Sequence, residues 1–167
     1  MYKIFIVVGE ASGDAIGAKL MTALKKFNTK LDFYGVGGDK MCAEGFRTIF
    51  PSNNLSLMGF TEIIPHLLKL SNCMKKTVEE VLEYNPDIII TIDSSGFNFR
   101  FIKKIKEHFK KQGVPIVHYV APMVWAYNLK RAFEVSKLYD HILLILPFEA
   151  QYFKHMPCTF VGNPIIA

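Results

Sequence analysis

One carboxylate stands directly after an apolar run, in the stretch Thr91-Ile92-Asp93-Ser94-Ser95-Gly96-Phe97-Asn98. Ligands of open α/β sheets bind beyond the carboxyl ends of the strands, so the side chain of Asp93 is placed to meet a substrate. A carboxylate in that position can act as a general base, which takes a proton from an attacking hydroxyl group. Asp is also a favoured N-cap residue, and the alternative is that Asp93 caps a helix beginning near Phe97.

A glycine-rich turn follows the first apolar run and reads Gly9-Glu10-Ala11-Ser12-Gly13-Asp14. Its glycines are four residues apart, a spacing that matches neither the dinucleotide fingerprint nor the Walker loop. Such a turn leads into a helix whose free backbone N–H groups favour an anion or a sugar hydroxyl. The alternative is that Ser12 or Asp14 caps this helix.

Two further loops follow predicted strands. Residues 35–39 contain three glycines and permit a close backbone approach, whereas residues 121–127 carry Trp125, the one tryptophan of the chain. An indole ring at this edge of the sheet could stack on a sugar ring, or it could fill a gap in the packing.

Residue types that bind metals or form covalent intermediates do not occur at the spacings of known metal sites or nucleophile motifs. The five histidines lack the spacing of metal ligands, and Cys42, Cys73 and Cys158 form no C-x-x-C pair. A G-x-S-x-G nucleophile elbow is also missing from the sequence. We therefore predict no metal site, no disulfide framework and no serine hydrolase.

Apolar runs of strand length alternate with segments of helical period along the 167 residues. This alternation predicts a single α/β domain, a Rossmann-like doubly wound parallel sheet with helices on both faces. The predicted strands are 3–8, 31–36, 47–50, 87–92, 115–120, 141–146 and 158–161, and the predicted helices are 16–27, 60–84, 97–112, 128–138 and 148–155. Half of the residues are hydrophobic, which suffices for a core and excludes a disordered chain.

The positive charge is concentrated in one segment. The net charge is +5, and Arg100–Gln112 contains six bases but only one acid. A helix over this segment carries the bases on one side and apolar residues on the other, which predicts a solvated outer face or attraction to an anionic membrane surface. No nucleic-acid motif accompanies the bases, so we expect no nucleic-acid partner.

A second amphipathic segment lies earlier in the chain. Ile63, Ile64, Leu67 and Leu70 fall on one side of a helix, with several lysines nearby. This stripe faces the core or contacts a membrane surface, where the lysines would meet anionic head groups. The apolar runs are shorter than the roughly 18–20 residues that a membrane-spanning helix needs, and the N-terminus lacks a secretory signal. We therefore expect a cytoplasmic protein.

Seven motifs occur in the order found in one known family. They are residues 9–14, 35–38 with Met41 and Gly45, 57–62, Ile92-Asp93 with Phe97-Asn98, 120–127, 147–149 and 160–162. On these residues the chain resembles the N-terminal half of the lipid-A-disaccharide synthases, which are inverting glycosyltransferases of the two-domain GT-B fold. The sequence departs from the family at Gly96, where the usual Ile-Asp-x-Pro-Asp-Phe-Asn motif has a second acid.

The resemblance implies an activity and its partners. Enzymes of this family join UDP-2,3-diacylglucosamine to 2,3-diacylglucosamine 1-phosphate, forming lipid A disaccharide 1-phosphate and UDP at the cytoplasmic face of the inner membrane. The resemblance further implies that Asp93 is the general base and that no metal or other cofactor takes part. The implied substrate-binding residues are Gly9, Glu10, Ser12, Gly13, Asp14, Asn98, Trp125 and Arg131, and the implied membrane contacts are Ile63, Ile64, Leu67 and Leu70.

The family's C-terminal nucleotide-sugar domain has no counterpart in these 167 residues. We therefore expect residues 1–167 to form the acceptor-side domain, a fragment that is folded but inactive alone. Two other functions remain open from the sequence. One is a non-catalytic module that binds an acylated sugar or a membrane, and the other is a UDP-sugar epimerase of similar fold.

Overall fold

A parallel β-sheet forms the centre of the molecule. The structure, a computed structural model, describes residues 1–55, 63–124 and 130–164, with the backbone alone at 63–65 and 95. Within these ranges the strands are β1 (Tyr2–Val8), β2 (Leu31–Gly37), β3 (Arg47–Pro51), β4 (Ile88–Ile92), β5 (Ile116–Tyr119), β6 (His141–Leu144) and β7 (Cys158–Phe160). All neighbouring strands pair in parallel.

Helices cover both faces of this sheet. They are α1 (Ala11–Phe27), α2 (Asp39–Ala43), α3 (Ile63–Tyr84), α4 (Ser95–Lys111) and α5 (Lys130–Leu138), with short 3-10 helices at Ser52–Leu55 and Pro147–Tyr152. Alternate residues of β1 face opposite sides, as the twofold period of a strand requires. Phe5 and Val7 pack with α3, α4 and α5, whereas Ile4, Ile6 and Val8 pack with α1 and α2.

The strand order places a crevice at one point of the sheet edge. The order is β3-β2-β1-β4-β5-β6-β7, so successive strands are added on opposite sides of the β1–β4 pair. In sheets of this type the connections diverge at such a pair and leave an open crevice at its carboxyl end, where ligands bind. Val8 and Ile92 lie opposite each other in the β1–β4 register, so Gly9 and Asp93 both emerge at this crevice.

The predicted α/β architecture is confirmed. All seven strands lie within two residues of their predicted bounds. The prediction of a helix at 148–155 is inaccurate because this segment forms a 3-10 helix at Pro147–Tyr152. Helix α2 was not predicted, since five residues provide too short a hydrophobic pattern to recognise. In the described part of the chain, no helix has the length and apolarity needed to cross a membrane.

Candidate functional site

Asp93 lies in a left-handed turn that joins β4 to α4. The φ angles of Asp93 and Ser94 are 52° and 43°, a conformation that few residues with side chains adopt. The Asp93 N–H donates to the carbonyl oxygen of Tyr119 on β5 at 3.0 Å, which ties the turn to the neighbouring strand.

The Asp93 carboxylate is held between the first turns of two helices. Its Oδ1 accepts a hydrogen bond from the Ser94 N–H at 2.8 Å, and its Oδ2 accepts one from the Ser12 hydroxyl at 3.2 Å. Ser94 is the N-cap residue of α4, and Ser12 lies in the first turn of α1. The positive ends of both helix dipoles favour a negative charge at this position.

The capping alternatives for this region are wrong. No side chain caps α4 at Ser94, and among the described backbone N–H groups the Asp93 carboxylate bonds that of Ser94 alone. The N-cap residue of α1 is Glu10, which is also without a side-chain cap. Ionised carboxylate oxygens have lone pairs for about four hydrogen bonds in total. Asp93 therefore retains the capacity to accept a hydrogen bond from a substrate hydroxyl.

Gly9 allows the two turns to approach each other closely. A Cβ atom at Gly9 would lie 2.1 Å from Ser94 Oγ and 2.3 Å from Ser94 Cβ. At Gly13 it would lie 2.8 Å from Val8 Cγ1 and 3.5 Å from the carbonyl oxygen of Ile92. Both glycines were expected to contact substrate. In the structure they serve the close packing of α1 against the β4–α4 turn.

Asp14, which was predicted to bind substrate, has structural partners within the chain. It is 6% exposed, and its carboxylate accepts hydrogen bonds from the N–H groups of Gly38, Lys40 and Met41 at 2.9, 3.0 and 3.1 Å. These N–H groups belong to the first turn of α2 and the residue before it. Asp14 therefore anchors α2 to α1, which explains an acidic residue at a buried position.

Asn98, which was also predicted to bind substrate, bonds the backbone of the chain. Its side chain is fully buried, and its Nδ2 donates to the carbonyl oxygens of Ile92 and Asp93 at 3.3 and 2.7 Å. A group in this position holds the backbone of the Asp93 turn.

The remaining predicted residues are distributed along the same edge of the sheet. Glu10 and Ser12 are exposed at the start of α1, beside Asp93. Arg131 is exposed in the first turn of α5, with its guanidinium carbon 5.3 Å from the centre of the Phe99 ring. Trp125 lies outside the described residues. In the described ranges no group of three or more His, Cys, Asp or Glu side chains is arranged to hold a metal ion.

A buried polar network behind Asp93 was not predicted. Thr91 Oγ1 lies 2.7 Å from His118 Nδ1 and donates to the Tyr139 hydroxyl at 3.2 Å. His118 Nε2 has no hydrogen-bond partner among the described residues. Full burial lowers the pKa of His118 to about 3. The only sequence signal was a histidine within an apolar strand.

The burial of His118 makes the stability of the chain depend on pH. In the unfolded chain this histidine has a pKa of 6.5 and is protonated below that pH. In the folded chain its pKa is about 3, so it stays neutral. Protonation therefore favours the unfolded state, and stability is lost as the pH falls below 6.5. We expect the free energy of unfolding to fall by about 2 kcal/mol between pH 7 and pH 5 from this residue. Urea unfolding at the two pH values measures the change. His118→Phe keeps an aromatic ring and should remove most of this change in the free energy of unfolding. An unchanged pH dependence in this variant would show that another group causes the change.

Comparisons with solved structures define the class of the domain. The chain superposes on UDP-GlcNAc 2-epimerase from Neisseria meningitidis with a TM-score of 0.66 and 14% identity, covering 98% of this chain and 47% of that one. MurG from Acinetobacter baumannii gives a TM-score of 0.58 and 9% identity, with 98% and 46% covered. At these identities the likeness shows the fold alone. The fold is that of one Rossmann-like half of a GT-B protein.

Sequence comparisons identify the family within this class. The family model described as lipid-A-disaccharide synthetase matches residues 4–167. The lipid-A-disaccharide synthase of Rhodospirillum centenum is 41% identical over 98% of this chain, and that of Rickettsia canadensis is 42% identical over 99%. The chain therefore belongs to the lipid-A-disaccharide synthetase family, which confirms the resemblance. It spans 41% and 43% of the length of these two relatives.

Proposed function

We propose that this chain is the acceptor-activating part of a lipid-A-disaccharide synthase. Asp93 takes the proton from a hydroxyl of 2,3-diacylglucosamine 1-phosphate, and the resulting oxygen attacks the anomeric carbon of UDP-2,3-diacylglucosamine. The new glycosidic bond forms as the bond to UDP breaks, and UDP leaves with the electron pair. The products are lipid A disaccharide 1-phosphate and UDP.

The position of the Asp93 carboxylate carries this proposal. It is the carboxylate at the β1–β4 crevice that accepts hydrogen bonds from the starts of both α1 and α4. Family membership favours this reaction over the epimerase alternative, since the likeness to the epimerase is in fold alone. We expect no metal requirement, because helix N-termini and basic side chains can stabilise a departing diphosphate.

The part of the relatives that this chain does not span would supply the nucleotide-sugar site. We therefore expect the isolated chain to fold but to turn over far below the roughly 1 s⁻¹ of slow enzymes. The test is a chimera, named here the assembled enzyme, in which residues 1–167 replace the matching segment of the Rhodospirillum centenum synthase. Formation of disaccharide and UDP by the assembled enzyme but not by the isolated chain supports the proposal.

Other outcomes of this assay contradict the proposal and distinguish the alternatives. A folded assembled enzyme that interconverts UDP-sugar epimers without forming disaccharide would show an epimerase. A folded assembled enzyme that binds the acylated acceptor without turnover would show a binding module. Rapid disaccharide formation by the isolated chain would overturn the domain assignment.

We further propose that the start of α3 contacts the cytoplasmic face of the inner membrane. Leu67 and Leu68 are 56% and 63% exposed, although they are large apolar side chains. Leu70 was expected in the same surface, but it is half-buried and packs against the core. The side chains of Ile63 and Ile64 lie outside the described residues. Among the described side chains at the start of α3, Leu67 and Leu68 are the exposed apolar ones.

Helix α4 provides a basic surface in the same helical layer. The side chains of Lys103, Lys104, Lys110 and Lys111 are exposed, whereas Phe101, Ile102, Ile105 and Phe109 are buried in the core shared with α3. The predicted amphipathic helix is confirmed. Helices α3 and α4 pack against each other on one side of the sheet, and we propose that the basic surface of α4 adds a second contact with the membrane.

The expected result is that Leu67→Ser with Leu68→Ser weakens binding to anionic vesicles about tenfold or more at both low and high salt, because apolar burial is lost. Lys103→Glu with Lys104→Glu should weaken binding only at low salt, since salt screens exposed charges. Co-sedimentation measures both effects. Leu82→Ser is the matched control, as Leu82 is exposed near the other end of α3. An equal loss in this control, or no sedimentation of the wild type, would exclude the surface.

A further inference from the structure

The Asn98 carboxamide bridges the end of β4 and the turn that follows it. Its two amide hydrogens are directed at two successive carbonyl oxygens, those of Ile92 at 3.3 Å and Asp93 at 2.7 Å. Two acceptors on this side fix the orientation of the amide, because the oxygen of the carboxamide cannot donate to them. The Asn98 backbone N–H also donates to the Ser94 carbonyl oxygen at 3.1 Å. Asn98 therefore binds the turn at three successive residues.

The turn needs such support because of its backbone conformation. Asp93 and Ser94 both have positive φ angles, and steric crowding disfavours this region for residues with a Cβ atom. Strained backbone of this kind persists where surrounding structure fixes it. Asn98 fixes the turn from the side of α4, and the absence of a side chain at Gly9 leaves the room that Ser94 occupies.

We propose that Asn98 is a positioning residue for Asp93. By holding the carbonyl oxygens of Ile92 and Asp93, it keeps the Asp93 backbone left-handed and so directs the carboxylate toward the Ser12 hydroxyl and the crevice. Asn98 itself is fully buried and acts through Asp93. This inference rests on the proposed role of Asp93 as the general base.

A double-mutant cycle in the assembled enzyme tests the inference. We expect Asn98→Ala to lower kcat about 10- to 100-fold, since a misplacement of about 1 Å can cost this much, with the KM for the acceptor nearly unchanged. In an Asp93→Asn background the same substitution should lower kcat little further, because the base that Asn98 positions has already been removed. Thr77→Ala is the control for a general loss of packing. Thr77 is also fully buried, and it donates to the Cys73 carbonyl oxygen within α3.

Each outcome bears on one proposal. If Asn98→Ala lowers kcat equally in both backgrounds, or no more than Thr77→Ala, the positioning role is wrong while Asp93 can still be the base. If Asp93→Asn alone is fully active, the proposed function of Asp93 fails instead. Should Asn98→Ala lose the helical circular dichroism signal, the cycle is run with Gly9→Ala, whose Cβ displaces Ser94. Gly9→Ala should likewise have little effect on kcat in the Asp93→Asn background. An equal loss of kcat in both backgrounds would overturn the inference.

Discussion

Asp93→Asn is expected to lower kcat of the assembled enzyme about 100- to 10,000-fold, the range that general-base catalysis contributes. An amide has the shape of the carboxylate but cannot take up the proton of the acceptor hydroxyl. The fold should be retained, because Asn tolerates the left-handed region better than most residues and Asp93 has a φ angle of 52°. Its side-chain oxygen can still accept the Ser94 N–H.

Disaccharide formation under saturating substrates measures this effect. Ser12→Ala is the matched control, because it removes the 3.2 Å hydrogen bond to the same carboxylate and leaves the base in place. We expect it to lower kcat by about tenfold, less than Asp93→Asn does, because a hydrogen bond to a charged group contributes about 1.5 kcal/mol or more. An Asp93→Asn enzyme that keeps more than a tenth of the wild-type kcat would show that another group takes the proton.

Gly35→Ala is expected to give the largest loss of stability among single methyl additions. Gly35 has a φ angle of 139°, and a Cβ atom there would lie 2.1 Å from the carbonyl oxygen of Ile6. The added Cβ atom on β2 clashes with a backbone atom of the paired strand β1, so no side-chain rotation relieves the clash. We expect the free energy of unfolding to fall by about 3 kcal/mol or more, from overpacking and backbone strain together.

Urea unfolding of the two variants Gly35→Ala and Gly96→Ala provides the comparison. Gly96 lies in the first turn of α4, and beyond its chain neighbours and the backbone of that helix, a Cβ built there meets no described atom within 4 Å. Its substitution should change the stability by no more than about 1 kcal/mol, in the stabilising direction, through helix propensity. Equal unfolding midpoints for the two variants would contradict the assigned clash.

The strands and the position of Asp93 could be predicted because their signals are local. A run such as Ile88–Ile92 is apolar, β-branched and bounded by polar residues, and it forms a buried strand wherever it pairs. The alternation of strands and helices then places the end of each strand at one edge of the sheet. This was enough to place Asp93 at the crevice, although its hydrogen bond to Ser12 joins residues 81 positions apart.

The roles of the neighbouring polar residues could not be predicted, because their partners are determined by tertiary packing. Asp14 looks like a ligand residue in a glycine-rich turn, yet its partners lie 24 to 27 residues away at α2. Asn98 looks like a polar group at the rim of a site, but the helix buries it beneath the turn. Polar side chains of loops bond the nearest unsatisfied backbone groups, and sequence spacing does not show which groups those are.

The strand order also determines when the sheet can be completed as the chain leaves the ribosome. β1 pairs on one side with β2, which ends at Gly37, and on the other side with β4, which begins at Ile88. When only residues 1–55 have been released, β2 is available to pair with β1 but β4 is not, so the second edge of β1 is open to pairing with another chain. Arrival of β4 closes this edge, and β5, β6 and β7 then add in the order of synthesis. The release of residues 56–92 is therefore the interval in which chaperone binding should protect this chain most.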